Sequence, residues 1–266
     1  IAGHSCVFSW WEAVKGGQPT PGWARYRQAV AAGLRAGRLV VTPTRAMLEC
    51  LSQHYGPLPA HRVIPNGRDA ALFPPREKQP LIFSAGRLWD EAKNLGVLEA
   101  VAGDLPWPVY VAGEQRHPDG GRAGSSAARA LGRLEPEAMA EWLGRAAIYA
   151  APARYEPFGL GVLEAAYAGC ALVLGDIPSL REVWGDAALH VDPADPAALR
   201  SALEGLIADP ERRKQLAARA RARAFEYTPE RMARGYLSAY RYLLQGPARP
   251  AAQAEEETPE DLLCAS

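Results

Sequence analysis

From residue 81 onward, short apolar segments alternate with helix-forming segments, and no other feature of the sequence constrains the fold as strongly. The apolar segments predict strands at Leu81–Ser84, Val109–Ala112, Ala128–Leu131, Ala147–Ala150, Ala171–Leu174 and Ala188–Val191. The intervening segments predict helices at Asn94–Ala102, Pro136–Arg145, Leu160–Ala168, Ser179–Trp184 and Pro196–Ala208. Apolar strands separated by helices favour a parallel sheet covered on both faces. The fold class is therefore α/β, with ligands expected at the carboxyl ends of the strands.

The residues before this alternation carry fewer elements. Helices are predicted over Pro21–Gly37 and from the N-cap residue Thr44 to Tyr55. Strands are predicted to end at Ser5–Phe8, with His4 near the tip, and to cover Leu39–Val41 and Arg62–Ile64. A Rossmann-like domain has about six strands, so this part is expected to be the C-terminal portion of a domain from a longer gene product. Its sheet edge and apolar surface are then expected to be exposed.

The C-terminal region predicts two further helices and a tail. Pro210–Tyr227 is rich in arginine and most simply forms a solvated helix face. Contact with an anionic membrane surface is the alternative, although the apolar side of this helix is thin. Pro229–Leu244 is predicted to be helical, with an aromatic side that packs on another element through Tyr236, Tyr240, Tyr242 and Leu243. Residues 246–266 are rich in Pro, Ala and Glu and are expected to be disordered.

A proline-containing segment at residues 73–80 is interpreted as a linker. It divides the chain into a partial N-terminal domain at 1–74, a C-terminal domain with closing helices at 75–245, and the tail. One complete Rossmann-like domain and part of a second are therefore expected.

The stretch Arg154–Ala166 predicts a binding site at one strand end. An apolar strand runs into it, a helix runs out of it, and Glu156 and Glu164 bracket a glycine-containing turn. A helix start presents unpaired N–H groups and a positive dipole end, which suit a phosphate. Ionised carboxylates only accept hydrogen bonds, so they suit ribose and sugar hydroxyls. The stretch therefore predicts a site for a sugar joined to a nucleotide through phosphates.

Positive charge for such a ligand is available after the strand at Leu81–Ser84. Gly86 lets the turn approach a ligand closely, and Arg87 and Lys93 stand at either end of the loop. Arg offers a planar fork of donors and Lys a point charge, and together they could neutralise a diphosphate. Solvated surface charges are the alternative interpretation.

Charge and cysteine content exclude several other classes. The formal net charge is +0, which does not support nucleic acid as the main partner. No apolar run approaches the roughly 18–20 residues needed to span a bilayer. The four cysteines are scattered without metal-like spacing, so a zinc site and structural disulfides are not expected and a cytoplasmic location is the default.

Five motifs together resemble the retaining glycosyltransferases of family 4. They are Val63–Gly67, Gly86–Asn94, Val109–Glu114, Glu156–Cys170 and Asp176–Glu182. They occur in the order found in that family and extend over most of the chain. The resemblance implies the GT-B fold, in which two Rossmann-like domains face across a cleft. It also implies transfer of a sugar from an NDP-sugar to a hydroxyl acceptor, with retention of configuration and without a metal or other cofactor. The acceptor, whether glycan, lipid or small molecule, stays open.

The resemblance also assigns roles to individual residues. Arg87 and Lys93 would hold the donor diphosphate, Glu156 would contact the transferred sugar, and Glu164 would bind the ribose. His4 would lie in the cleft wall near the reacting carbon or the acceptor. The remaining donor-binding positions it implies are Gly86, Gly113, Glu114, Leu134, Phe158, Gly159 and Leu160.

Two other functions compete with this one. A partial N-terminal domain favours a fragment that binds a nucleotide sugar but transfers it poorly or not at all. A dehydrogenase would need a G-x-G-x-x-G turn. Gly159 and Gly161 supply only its opening pair, because Glu164 stands where the third glycine belongs.

Overall fold

The structure is a computed structural model and describes residues 1–17, 19–115 and 127–245. The predicted tail at 246–266 lies outside the described residues. The strands are β1 (Val40–Thr42), β2 (His61–Val63), β3 (Gln79–Ala85), β4 (Val109–Ala112), β5 (Arg129–Gly132), β6 (Ala146–Ala151), β7 (Ala171–Gly175) and β8 (Leu189–Val191). The helices are α1 (Val7–Lys15), α2 (Ala24–Ala36), α3 (Arg45–Tyr55), α4 (Leu95–Ala102), α5 (Pro136–Arg145), α6 (Leu160–Tyr167), α7 (Pro178–Trp184), α8 (Pro196–Ala208), α9 (Pro210–Ala224) and α10 (Pro229–Gln245).

Six strands form one parallel sheet in the order β5-β4-β3-β6-β7-β8. This is the strand order of a doubly wound Rossmann-like sheet, in which the direction of winding reverses between β3 and β6. A buried cluster lies on each face, one around Phe83 and Leu172 and the other around Ile82 and Ile148. Neighbouring residues of one strand thus enter opposite clusters, as the period of two in a strand requires. The predicted α/β class is confirmed.

The smaller sheet pairs β1 with β2 in parallel. The first three residues extend it, because Ala2 bridges Val41 and the Gly3 amide donates to the Val41 carbonyl over 2.8 Å. The prediction that Ser5–Phe8 ends a strand is wrong. The extended segment stops earlier, and Cys6 is the N-cap of α1, its sulfur accepting from the Ser9 amide. A side chain that can cap the first turn favours a helix start over continued strand.

The last helix returns to the smaller sheet. Leu39, Val41, Ile64 and Ala239 form a buried cluster, and further side chains of α10 pack against it, namely Met232, Tyr236, Tyr242 and Leu243. Three of the four predicted packing residues are therefore confirmed. The prediction is wrong for Tyr240, which is 56% exposed, because it lies on the side of the helix that turns away from the sheet.

The basic helix α9 is part of the packed domain. Its small residues Ala220 and Ala224 are fully buried, so the thin apolar side predicted from the sequence is wide enough to seat the helix closely. Arg221 donates to the Tyr167 carbonyl over 3.2 Å, and Arg223 donates to the Val183 carbonyl over 2.9 Å. Several of its charges thus satisfy helix-end carbonyls instead of facing only water.

No helix within the described ranges is both long and apolar enough to cross a membrane.

Gly113 marks a close backbone approach between the ends of β3 and β4. Its φ is +143°, and a Cβ at this position would lie 1.6 Å from the Gly86 carbonyl oxygen. We expect Gly113→Ala to lower the free energy of unfolding by about 2 kcal/mol or more, because both backbone strain and a clash with main chain must be relieved. Chemical denaturation of both proteins measures this difference.

Gly96→Ala is the matched control. Gly96 is an exposed residue of α4 with open space around its Cα, and alanine there should raise stability by about 0.5–1 kcal/mol. Equal behaviour of the two variants would contradict the packing described for Gly113.

Candidate functional site

A cleft of about 710 Å³ opens at the carboxyl ends of β3 and β6, where the winding of the larger sheet reverses. His4 and the residues that follow β2, namely Asn66, Gly67 and Arg68, face it from the smaller sheet. Of the predicted site residues, the lining includes His4, Gly86, Lys93, Glu156, Phe158, Gly159, Leu160 and Glu164. Most of the positions singled out from the sequence are thus brought into one cavity.

Glu156 and Lys93 both line the cleft and contact each other. Lys93 Nζ donates to Glu156 Oε2 over 2.6 Å, and both side chains are largely buried, 25% and 19% exposed. Glu156 Oε1 accepts from the Gly159 amide over 3.0 Å. Gly159 is the N-cap of α6 and has φ +89°, a conformation that glycine adopts without strain. The carboxylate therefore lies at the positive end of a helix, beside a cation.

The loop that carries Glu156 is held from both sides of the cleft. Thr44, at the start of α3, donates from Oγ1 to the Pro157 carbonyl over 3.0 Å. Ser179, at the start of α7, donates from Oγ to the Glu156 carbonyl over 2.5 Å. The Arg154 amide donates to the Ala92 carbonyl over 2.9 Å, which ties this loop to the one that carries Lys93. These three hydrogen bonds all involve the main chain of the Glu156 loop, and together they fix the distance between the Glu156 and Lys93 side chains.

Lys93 is positioned by its own loop. Its side chain lies over Gly86, whose absent Cβ would be 3.4 Å from Lys93 Cγ. Asn94 takes a left-handed conformation with φ 55° and donates from Nδ2 to the carbonyls of Pro152 and Pro193, over 2.9 and 2.6 Å. The sequence pattern predicted that Gly86 lets its turn approach a ligand, but gave no signal for this role of Asn94.

Arg87 does not line the cleft. Its guanidinium pairs with Asp90 over 2.6 Å and lies 5.2 Å from the centre of the Trp89 ring, and its side chain is 61% exposed. Asp90 is buried and also accepts from the Trp10 indole over 3.2 Å. The structure therefore separates Arg87 from Lys93, although they belong to the same loop. A contact between Arg87 and a diphosphate stays a prediction.

Glu164 faces the cleft and is paired with a residue that sequence analysis missed. Arg68 Nε donates to Glu164 Oε1 over 2.7 Å, and the carboxylate side chain is 13% exposed. Burial raises the pKa of Glu164, and the arginine opposes that rise. Arg68 directly follows the Pro65–Gly67 turn that was recognised in the sequence, so a basic residue just beyond a cleft turn was the available signal.

His4 lines the cleft from the smaller sheet, at the end of the extended segment that follows Ile1. Its side chain is exposed to the cavity. The structure thus brings His4 to the wall opposite α6, as the resemblance implied, while its role toward a ligand stays a prediction.

Three predicted donor-binding residues lie outside the cleft lining. Gly113 and Glu114 follow β4 and Leu134 follows β5, one and two strands farther from the point where the winding reverses. Leu134 packs against the core, and the Glu114 carbonyl accepts from the Leu88 amide over 2.9 Å. These residues lie at the carboxyl ends of the strands, as the cleft does, but they do not line its cavity.

The charges of the cleft balance one another. Lys93 and Arg68 supply two positive charges and Glu156 and Glu164 two negative ones, in pairs that are each 2.6–2.7 Å long. Beneath them, burial raises the pKa of the Tyr149 phenol, and the two carboxylates add to this rise, so the group is neutral at physiological pH. Among the described residues, His, Cys, Asp and Glu side chains form no group of three or more that could hold a metal ion. The arrangement can accept hydrogen bonds from hydroxyls and donate them to an anion at the start of α6.

Comparison with known proteins identifies several that are similar to this chain. Glycogen synthase from Mycobacterium tuberculosis is 32% identical over 212 residues, covering 71% of this chain and 50% of that protein. Sucrose-phosphate synthase from Thermosynechococcus elongatus superposes with a TM-score of 0.78 at 21% identity, over 92% of this chain and 67% of that one. Anabaena HepE, solved in complex with UDP and glucose, gives 0.72 at 15% identity, over 82% and 67%.

The structural likenesses concern the fold, and they confirm the predicted GT-B type. The chain spans about half the length of the curated relatives it matches. The family model for glycosyl transferases group 1 matches residues 67–223, which include β3 to β8 and both carboxylates of the cleft. The chain therefore belongs to the glycosyl transferases group 1 family.

Proposed function

We propose that the chain binds a nucleotide sugar in the cleft between its two sheets and serves the transfer of that sugar to a hydroxyl acceptor. The observation that carries this proposal is the contact between Lys93 and Glu156 at the start of α6. It combines a cation, a hydroxyl-accepting carboxylate and helix amides at one point. Family membership supports the reaction class.

In the proposed complex, the donor's phosphates lie at the start of α6, near Lys93. Glu156 accepts hydrogen bonds from the transferred sugar and Glu164 from the ribose. His4 faces the reacting carbon or the acceptor from the opposite wall. Lys93 and the helix amides stabilise the negative charge that develops on the leaving diphosphate, which is the electrostatic contribution a metal would otherwise make. We therefore propose transfer without a metal.

We further propose that configuration at the sugar carbon is retained. The bond from that carbon to the diphosphate oxygen breaks, and a bond to the acceptor oxygen forms on the same face. The acceptor proton passes to the departing phosphate oxygen. The chain then acts by orientation and electrostatic stabilisation, and needs no covalent nucleophile.

A chain that binds a nucleotide sugar without transferring it is the second candidate. Arg87 is turned toward Asp90 instead of the cleft. This orientation favours binding over turnover, and the two candidates differ in whether any product forms.

Nucleotide binding is tested by thermal unfolding of the 266-residue chain with UDP, GDP, ADP and their glucose or mannose conjugates. We expect one base to raise Tm by several degrees at millimolar ligand, because a ligand that binds only the folded state stabilises it. UDP is the first to try, since HepE was solved with it. No shift with any of these ligands would contradict the proposed site.

Lys93→Ala and Glu156→Gln separate the binding of phosphate from the binding of sugar. We expect Lys93→Ala to weaken NDP binding about tenfold or more, since a charge-assisted hydrogen bond is lost. Glu156→Gln should leave NDP binding within about threefold and weaken the NDP-sugar about tenfold. Calorimetric titration measures both ratios.

Lys214→Ala is the matched control for the lysine, because Lys214 pairs with Glu211 at 2.8 Å on the exposed side of α9. Equal losses of NDP affinity in Lys93→Ala and Lys214→Ala would argue against a phosphate contact.

Stereochemistry and metal requirement are measured on the transfer reaction itself. Water serves as the acceptor where no other acceptor is known, so the reaction followed is hydrolysis of the donor. NMR of the first product formed should show the anomer of the donor, and chelator should leave the rate unchanged. Inverted product, or a rate abolished by chelator and restored by a divalent cation, would contradict those parts of the proposal. Complete absence of product, together with tight donor binding, favours the second candidate.

A further inference from the structure

Arg68 is the charged residue of the cleft to which neither the sequence motifs nor the proposed reaction gives a task. It lines the cavity together with Asn66 and Gly67, and its side chain is 45% exposed. It comes from the segment after β2, whereas its partner Glu164 belongs to α6. The ion pair therefore crosses the cleft at the place where the proposed function puts the ribose.

The main chain of Arg68 is fixed, so the side chain approaches Glu164 from a set direction. The Arg68 amide donates to the Tyr227 carbonyl over 3.2 Å. A Cβ on the preceding Gly67 would lie 2.3 Å from the Thr228 carbonyl oxygen, which shows how tightly the turn is pressed onto the segment before α10. The Arg68 guanidinium also lies 5.9 Å from the centre of the Phe73 ring. A held main chain reduces the conformational freedom that the pair must lose.

The geometry of the pair leaves part of the carboxylate for a ligand. Arg68 Nε and Nη2 both approach Oε1, at 2.7 Å each. Oε2 is thereby left to accept from another donor, since a carboxylate has acceptor sites on both oxygens. Because both arginine nitrogens contact Oε1, they orient the carboxylate of Glu164 without occupying Oε2.

Glu164 needs this cation because of its surroundings. Its side chain is only 13% exposed, and its helix neighbours Leu163 and Ala165 are fully buried. Burial raises the pKa of the carboxyl group, whereas Arg68 lowers it. Burial disfavours the ionised form of a carboxyl group and a neighbouring cation favours it, and an ionised carboxylate is the better acceptor for hydroxyls.

We propose that Arg68 is a specificity-determining residue of the donor site, which holds Glu164 oriented so that the cleft distinguishes ribose from deoxyribose. Arg68 acts through Glu164 and is therefore a positioning residue. This inference rests on the proposed function, because it assumes that a nucleotide occupies the cleft.

The experiment compares UDP, GDP and ADP with their 2′-deoxy and 3′-deoxy counterparts, by calorimetric titration of the 266-residue chain. The wild type should bind the ribose form about tenfold more tightly than at least one deoxy form. Arg68→Ala should lose about tenfold in affinity for the ribose form and keep its affinity for that deoxy form, so the ratio falls toward one. Arg68→Lys, which keeps the charge but lacks the fork, should recover part of the ratio.

Two further variants separate positioning from general damage. Arg200→Ala removes an arginine of similar exposure, 44%, that pairs with Asp104 and Glu204 away from the cleft, and should leave the ratio unchanged. In a Glu164→Gln background, Arg68→Ala should lower the ratio no further, because both substitutions break one unit. The Tm of each variant shows whether it is folded under the conditions of titration.

Several results would overturn the inference. An unchanged affinity ratio in Arg68→Ala would do so. Tighter binding of the ribose form by Arg68→Ala than by the wild type would also do so, because it would mean that Arg68 competes with the ribose for Glu164. A wild type that binds the diphosphates but does not distinguish ribose from either deoxy form would also overturn it, with the proposed function intact. A wild type that binds none of the three diphosphates would remove the proposed function, and this inference with it.

Discussion

The pairing of β3 with β6 is the constraint on which the rest of the molecule depends. These two strands are neighbours in the sheet although α4, β4, β5 and α5 separate them in the chain. Their adjacency brings the Lys93 loop and the Glu156 loop to one point, at the place where the winding of the sheet reverses and where sheets of this kind open a crevice. The main-chain bond from Arg154 to Ala92 then holds the two loops together.

Balanced charge has a direct effect on how the cleft can take up a ligand. Each carboxylate already has a cation within hydrogen-bonding distance, so an incoming anion must share or displace one of these partners. The Gly159 amide at the start of α6 is likewise already engaged by Glu156. Binding is therefore an exchange of partners, and its free energy is a small difference between larger contributions. Ligands that satisfy all the displaced groups are favoured over those that match only the phosphate, since an unpaired buried group carries the full desolvation penalty.

Much of the fold could be predicted from local pattern because its strands are short, apolar and separated by helices. The bounds predicted for Val109–Ala112 and for Pro136–Arg145 coincide with β4 and α5. The carboxylate and lysine positions followed from the same logic, since strand order decides where they meet. What could not be predicted depends on side-chain direction. Arg87 turns to Asp90, and the loop sequence alone does not settle which group its side chain contacts. Arg68 reaches Glu164 across 96 positions of chain, and its place after the Pro65–Gly67 turn indicates the cleft but not this partner.

The path of α10 limits how the two halves of the molecule could be combined with others. This helix follows the larger sheet in the chain but packs on the smaller one, where Ala239 joins Leu39, Val41 and Ile64 in a buried cluster. Suppose that recombination between related genes exchanged the larger sheet together with everything after the linker. It would then also replace α10, the helix that covers the smaller sheet. Viable recombinants would need a second crossover, between α9 and α10. The smaller sheet and the last helix should therefore be inherited together, although most of the sequence lies between them.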